Sequence, residues 1–172
     1  MTEIANADRG MVQAVLDNLR VADAEEMAAC GTDMNSLAHM LMRHSQFAFC
    51  AWDYDCGPIS VWGAVLKRPG VCTAYAFGTD EWPRAVLPMV RQIRGFIMPY
   101  LVEAGVHRVD AVAMLKRNDV KRFMRLLGAK SEGVLTGYGT EGEAFVSYRW
   151  LSNEHGGYRA AETKADGAYT AH

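Results

Sequence analysis

The chain has 172 residues, half of them apolar and 22% charged, which fits one soluble globular domain and excludes a disordered polypeptide. The formal net charge is −2, but residues 84–130 carry 10 Lys+Arg against 3 Asp+Glu, while the segments before and after them are acidic. These acidic flanks exclude a polycation that coats nucleic acid by charge alone.

The N-terminus and the cysteines bear on location and redox state. The first ten residues, MTEIANADRG, carry acids where a secretory signal needs lysines, and no apolar run approaches the roughly 18 residues of a membrane span. We therefore expect a protein that is not secreted and has no membrane span. Without a CxxC pair, the cysteines are expected to be reduced and mostly buried: Cys30, Cys50, Cys56 and Cys72. Cys50 and Cys56 could be combined with His39 and His44 as a set of metal ligands. The spacing of these four residues matches no structural zinc site, so no metal is expected.

The first quarter of the chain predicts three amphipathic helices. Residues 11–30 repeat apolar side chains at helical spacing, and Asp23 is placed to cap the second of two short helices. Asn35 can open a third helix, in which Leu37, Met40 and Leu41 share one face. We expect these helices to lie on a sheet.

The next forty residues change to the pattern of strands. Segments 47–54, 59–66 and 71–77 are rich in β-branched and aromatic residues, and the turn sequences DCGP and KRPG separate them. The pattern predicts an antiparallel meander of three strands.

The second half predicts a long helix and then a strand, a helix and a strand. Apolar residues recur at helical spacing over 84–104, although Pro88 and Pro99 should bend or break this helix. The remaining predicted elements are a strand over 107–114, a helix capped by Asn118 or Asp119 and ended by Gly128, a strand over 143–150, and a tail over 151–172 that orders only against a partner.

This order of elements resembles the GNAT acyl-CoA N-acetyltransferase fold. The resemblance covers about residues 10–150, and its best local match is the strand, polar turn and helix of residues 107–128. It implies one α+β domain over 1–150: a mixed central sheet flanked by helices, with N-terminal helices, a three-strand antiparallel meander, a long helix and a late strand-helix-strand unit. Residues 151–172 would form a C-terminal tail.

Six short sequences make the chain most similar to GNAT-like proteins of tailed phages, including internal core proteins. In chain order they are NLRVADAEEM, WGAV, GTD, GVHRVDA, LLGAKSEG and FVSYRW. The resemblance implies a protein located in the virion or the host cytoplasm, whose partners are other virion proteins.

The GNAT family holds the coenzyme pyrophosphate with successive backbone N–H groups at a helix N-terminus. The corresponding sequence here is GTDEWPRA, in which only Gly78 supplies backbone freedom and Pro83 has no N–H. Asp80 and Glu81 would each repel a phosphate by roughly 0.8 to 3.3 kcal/mol at about 5 Å. We therefore expect no cofactor, or weak binding of acetyl-CoA. The resemblance places coenzyme contacts at Tyr75, Ala76, Phe77, Gly78, Thr79, Arg84 and Asn118.

The family commonly protonates the departing thiolate with a Tyr four residues before the glycine that ends the late helix. Met124 occupies that position here and has no proton to give. Tyr138 and Tyr148 are alternative acids between which the spacing does not choose. The carboxylates that could act as general base are Glu25, Glu26 and Asp53. These departures predict a degenerate acyl-CoA site.

Segment 116–125 concentrates the basic charge. Its cations are Lys116, Arg117, Lys121, Arg122 and Arg125. They could bind an acidic protein surface, bind nucleic-acid phosphates, or form a solvated face that balances the acidic N-terminal block. With the C-terminal tail, this segment is the predicted contact with other virion proteins.

Three functions remain open from the sequence. The first is a phage GNAT-like structural protein of the virion core that has lost, or nearly lost, the chemistry. The second is an active acetyl-CoA-dependent N-acetyltransferase with a non-standard loop. The third is a DNA-associated module that uses the basic helix.

Overall fold

A computed structural model describes residues 2–154, which form a seven-stranded sheet with helices on both faces. The strands are β1 (Glu3–Asn6), β2 (Ser45–Asp53), β3 (Gly57–Arg68), β4 (Val71–Gly78), β5 (Arg108–Met114), β6 (Lys130–Leu135) and β7 (Phe145–Leu151). The helices are α1 (Arg9–Asp17), α2 (Val21–Ala29), α3 (Met34–His44), α4 (Trp82–Gln92), α5 (Met98–Glu103) and α6 (Asn118–Leu127). A π-helical turn (Ile93–Ile97) joins α4 to α5, and a 3-10 turn (Ser152–Glu154) follows β7. The predicted mixed α+β architecture is confirmed.

The strands lie in the order β1-β2-β3-β4-β5-β7-β6, and every neighbouring pair except β4 and β5 is antiparallel. The predicted meander is confirmed as β2, β3 and β4. The two edge strands, β1 and β6, were not predicted from the sequence. Strand β6 is exposed along almost its whole length and contains Gly133 at a φ of 138°, so it lacks the apolar alternation that marks a strand.

Strand β3 lies at the centre of the core. Its run from Ile59 to Ala64 is buried without alternation because helices cover both faces of the sheet. Trp62 belongs to the cluster formed with α4 and α5, whereas Val61 belongs to the cluster formed with α1 and α3.

Three predicted helix starts are wrong in detail. For α6, Arg117 holds the capping position, while Asn118 and Asp119 lie inside the first turn. The carboxylate of Asp33, not Asn35, caps α3 by accepting from the Asn35 N–H. Asp23 lies inside the first turn of α2, where Arg20 holds the capping position, and it is buried because its carboxylate binds groups from other elements. The predicted end of α6 at Gly128 is confirmed, with a φ of 77° that favours glycine.

The long helix is divided, but not at its first proline. Helix α4 continues through Pro88, and the break is the π-helical turn at Ile93–Ile97. Pro99 lies in the first turn of α5, directly after the π-helical turn.

Strands β4 and β5 diverge, and this divergence positions the candidate site. Their parallel pairing covers three residue pairs, from Val71 with Arg108 to Thr73 with Asp110. Beyond Thr73 the two strands separate, and Ala76 is exposed although it lies within the sheet. The centre of the sheet therefore contains an opening.

The four cysteines are free thiols. Cys50 and Cys72 are buried, as predicted, whereas Cys30 and Cys56 are exposed. The first four residues of the predicted tail complete β7 and form the 3-10 turn, and the rest of the tail, 155–172, lies outside the described residues. Within residues 2–154, no helix has the length and apolar content that crossing a membrane requires.

Candidate functional site

A cavity of about 310 Å³ passes through the sheet where β4 and β5 separate. Its walls come from both faces: α2 and α3 contribute residues such as Leu37, while the π turn, α5 and α6 contribute residues such as Ile97. Almost all of these side chains are apolar, and the charged ones are Glu26 and Arg149. The cavity has the size and apolar character of a small-molecule site.

The structure brings three of the seven predicted coenzyme contacts to this cavity. Tyr75, Ala76 and Phe77 line it; Gly78, Thr79, Arg84 and Asn118 do not. The cavity therefore ends before the loop that the family uses for pyrophosphate.

The loop over residues 78–84 uses its N–H groups within the protein. The Gly78 N–H donates to Oδ2 of Asp23 at 2.8 Å, and the Thr79 N–H donates to the carbonyl of Ile59 at 2.8 Å. The other internal bonds run from Glu81 to the Thr79 hydroxyl, from Trp82 to the Thr79 carbonyl and from Arg84 to the Glu81 carbonyl. Since Pro83 has no N–H, little of the loop can bind an anion.

The side chain of Arg84 is also engaged. Its Nη2 lies 2.9 Å from Oδ2 of the buried Asp53, and its Nη1 lies 3.4 Å from Oε2 of Glu81. The Asp53 carboxylate holds the pKa of Arg84 above its ordinary value. The cation nearest the loop is therefore paired with carboxylates.

Arg117 ties α2 across the ends of β4 and β5. Its guanidinium is almost fully buried and binds Asp23 at 2.8 Å, Asp119 at 2.8 and 2.9 Å, Glu26 at 3.3 Å and the carbonyl of Ala22 at 2.9 Å. Burial alone would lower the pKa of Arg117, but hydrogen bonds to Asp119 and Asp23 raise it. Asp23 links this group of charges to the loop over residues 78–84, because its carboxylate also accepts the Gly78 N–H.

An aromatic pair fills the space between α4 and α6. Trp82 contacts Phe123 edge-on, with ring centroids 5.6 Å apart, and both side chains are buried. The guanidinium of Arg20 lies 4.4 Å from the Trp82 ring centroid, in cation–π geometry. Because Phe123 also lines the cavity, this pair separates the cavity from the loop.

The Arg117 group should make stability sensitive to acid. The hydrogen bond from Arg117 lowers the pKa of Asp119 from 3.8 to about 2. A carboxyl whose pKa is lower in the folded state contributes stability above its unfolded pKa, and this contribution is lost as pH falls through the folded pKa. We therefore expect stability to decline between pH 3.8 and about 2 less steeply in Asp119→Asn than in the wild type.

Urea midpoints measured across this pH range would test the expectation. Glu25→Gln is the control because Glu25 also has a lowered pKa, through Lys116, but lies on the surface. Equal pH slopes for wild type and Asp119→Asn would contradict the assignment.

The predicted catalytic residues are not assembled in one place. Glu25 is exposed and paired with Lys116, and the ring of Tyr138 packs against Phe145 at the surface. Tyr148 lines the cavity, and burial raises the pKa of its hydroxyl. Met124 also lines the cavity, in the position where the family commonly has Tyr.

Of the three predicted bases, only Glu26 lines the cavity. Burial raises the pKa of its carboxyl, which accepts from the Met114 N–H at 3.0 Å. Asp53 is fully buried beside Arg84 and does not line the cavity. Helical spacing cannot distinguish Glu26 from its exposed neighbour Glu25 without the position of β5.

The basic segment divides into paired and unpaired cations. Arg117 is buried among carboxylates and Lys116 is paired with Glu25. Lys121, Arg122 and Arg125 have no carboxylate partner within residues 2–154. Only these three remain to contact a partner. In the same part of the chain, no three His, Cys, Asp or Glu side chains are grouped as metal ligands.

Solved structures of acetyltransferases are similar to the chain over most of its length. Ard1 from Thermoplasma volcanium superposes with a TM-score of 0.69 at 12% identity, covering 87% of this chain and 97% of that one. The structure of yncA from Salmonella typhimurium with its cofactor acetyl-CoA gives 0.64 at 10% identity, covering 92% and 98%. The ribosomal-protein-S18-alanine N-acetyltransferase from Escherichia coli gives 0.64 at 11% identity, covering 88% and 94%.

No family model and no curated protein sequence matches the chain. The likeness is therefore one of fold, carried by the whole arrangement of seven strands and flanking helices. At 9–13% identity it carries no substrate or activity with it. The chain has the α+β fold of the GNAT acetyltransferases.

Proposed function

We propose that this chain is a GNAT-fold protein that has lost acetyl transfer and serves as a structural protein of a tailed-phage virion, of the internal core type. The proposed loss of acetyl transfer rests on one observation: the Asp23 carboxylate accepts the Gly78 N–H at 2.8 Å. A carboxylate of the protein thus occupies a loop donor that an acyl-CoA pyrophosphate would need.

Binding a pyrophosphate would require several internal bonds to break at once. Asp23 would have to leave both Gly78 and Arg117, and the Arg117 guanidinium would then lose a partner while remaining buried. The Trp82–Phe123 pair would also have to separate to connect the loop with the cavity. The exposed carboxylates of Asp80 and Glu81 would further repel the anion.

The structural role is supported by the resemblance of six short sequences to phage GNAT-like proteins and by the cations on α6 that have no carboxylate partner within residues 2–154. Lys121, Arg122 and Arg125 favour an acidic protein surface as the partner. The C-terminal tail is the second proposed contact. In this proposal the protein resides in the virion, or in the host cytoplasm before assembly.

Thiol release from acetyl-CoA, measured over a panel of amines and N-terminal peptides, tests the loss of chemistry. We expect no release above the uncatalysed rate. Turnover that Tyr148→Phe reduces would overturn this part of the proposal and favour an active enzyme. Mass spectrometry of gradient-purified virions tests the structural role, which requires the chain to be present at a fixed copy number per particle.

An active N-acetyltransferase is the second candidate, and it is favoured by Glu26 and Tyr148 lining the same cavity. Glu26 would act as general base and Tyr148 as general acid. The thiol-release assay decides between this candidate and the first.

A DNA-associated module is the third candidate, because the three unpaired cations could contact phosphates. A gel shift at physiological salt compares the wild type with the triple variant Lys121→Ala, Arg122→Ala, Arg125→Ala. Equal mobility shifts for the two proteins would remove this candidate.

A further inference from the structure

A second cavity, of about 300 Å³, lies between α6 and the β6–β7 hairpin and is called the α6–β7 groove. Within residues 2–154, no residue of β4 or β5 lines it, so it is a different cavity from the opening between those strands. Its floor is apolar, because Met124 and Ala129 pack against Val146 and Tyr148 of β7. Met124, Ala129 and Tyr148 border both cavities.

A β-bulge places two residues of β6 on the wall of this groove. Ser131 pairs with Tyr148, and Val134 pairs with Val146. Ser131 and Val134 are three residues apart, and regular alternation would put them on opposite faces of the sheet. Glu132 has no partner in the register, and this extra residue brings Ser131 and Val134 to the same face. Both therefore line the groove.

Two cations of α6 also line the groove: Lys121 and Arg125, which are one helical turn apart. Neither has a carboxylate partner within residues 2–154, and none of the described Asp and Glu residues lines the groove. Glu132, the carboxylate of β6, is engaged by Arg108 and Arg149 instead. Like charges one turn apart on a helix repel each other, and an anion between them would remove that repulsion.

Two hydroxyl groups add neutral donors to the same wall. Burial raises the pKa of Tyr148, although the positive charge of Arg125 lowers it, so the phenol stays protonated and can donate. The effect of Arg125 on Tyr148 also means that the guanidinium lies near this hydroxyl. Oγ of Ser131 accepts the Gly133 N–H at 3.3 Å and keeps its own O–H to donate. The groove thus combines two cations and two hydroxyl donors with an apolar floor.

We propose that the α6–β7 groove binds a small organic acid, whose carboxylate contacts Lys121 and Arg125 and whose compact apolar body covers Met124 and Val146. A free phosphate would leave the apolar floor uncovered, and a nucleic-acid backbone needs cations along a longer track. The two cations belong to the three that the proposed function assigns to a partner protein. The acid itself needs no such partner, so the inference goes beyond the proposed function and does not depend on it.

Titration of the ¹⁵N-labelled full chain with 4-phenylbutyrate, followed by the backbone amide signals in NMR spectra, tests the inference. Saturable shifts are expected in residues 121–125, 131–134 and 146–148, with a Kd in the millimolar range that suits so small a ligand. The amide 4-phenylbutyramide has the same apolar body without the charge and should bind about 10-fold more weakly or less.

Three outcomes of the titration would overturn the inference. The first is an absence of saturable shifts, which would leave the proposed function as it stands. The second is a set of shifts confined to residues 74–77 of β4, which would place the acid in the other cavity. The third is inorganic phosphate binding as tightly as 4-phenylbutyrate, because the apolar body would then contribute nothing.

Two variants locate the carboxylate. Lys121→Met and Arg125→Met each remove one cation and keep an unbranched side chain, so each should weaken 4-phenylbutyrate about 10-fold or more, the usual worth of a charged hydrogen bond. Arg122→Met is the matched control, because Arg122 is exposed on the same helix and does not line the groove. It removes the same net charge and should bind the acid like the wild type. Equal losses in all three variants would mean that only the general charge of α6 attracts the acid, and would overturn the inference.

Discussion

Replacing Arg117 by Met is expected to lower the free energy of unfolding by about 3–5 kcal/mol, the usual cost of removing one partner from a buried ion pair. The loss arises because Asp23, which is 4% exposed, keeps its carboxylate in the interior with only one of its two counter-charges, Arg20. Glu26 loses a cation at the same time. Urea denaturation at neutral pH measures the change.

Two comparisons separate this effect from a general loss of positive charge. Lys116→Met removes the neighbouring exposed cation and should cost only about 0–1 kcal/mol. The double variant Asp23→Asn, Arg117→Met should be more stable than the sum of the single losses predicts, because both members of the pair are then neutral. An Arg117→Met protein as stable as Lys116→Met would show that the buried ion group does not tie α2 to the sheet.

Replacing Trp82 by Ala should also cost about 3–5 kcal/mol, the range for deleting a large aromatic side chain from a core. Trp82 is 7% exposed, and its ring contacts Phe123 and Arg20. The deletion should connect the cavity with the loop. We nevertheless expect no gain in acetyl-CoA binding, because the Gly78 and Thr79 N–H groups stay bonded within the protein.

Leu87→Ala on the same helix is the control, since Leu87 is 59% exposed and its loss should change stability by only about 0.5 kcal/mol. Strong acetyl-CoA binding by Trp82→Ala would mean that the aromatic pair alone blocks the coenzyme.

The order of the elements was predictable because periodicity changes sharply along the chain. The β2–β4 meander is rich in β-branched and aromatic residues, and α6 ends at a glycine. Strands β1 and β6 were missed because both are short edge strands with exposed residues. Their existence depends on pairing with β2 and β7, which are distant in sequence or lie after a turn.

The contacts that define the site could not be predicted from the sequence. From the sequence, Asp23 was predicted to cap a helix, and Arg117 was one of five cations in the basic segment 116–125. They are 94 residues apart and meet only because α2 crosses the ends of β4 and β5. Periodicity within a segment gives no information about such a contact.

Residues 84–130 accordingly offer a binding partner fewer free cations than their net charge suggests. Arg84, Arg108 and Arg117 are paired with carboxylates, so their charge stabilises the fold. Within the described residues, the cations of this segment without a carboxylate partner are Arg91 and Arg94 before β5 and Lys121, Arg122 and Arg125 on α6. A partner that binds α6 needs an acidic surface near Arg122 and Arg125.

Calorimetric titration of the full chain with acetyl-CoA tests the central claim, that the protein's own carboxylate occupies the coenzyme's phosphate loop. With Asp23 on the Gly78 N–H, no binding heat is expected up to about 1 mM ligand, which corresponds to less than roughly 4 kcal/mol of binding free energy. Saturable binding with a Kd near 1 μM, about 8 kcal/mol, would contradict the claim and require the Asp23–Gly78 bond to open in solution.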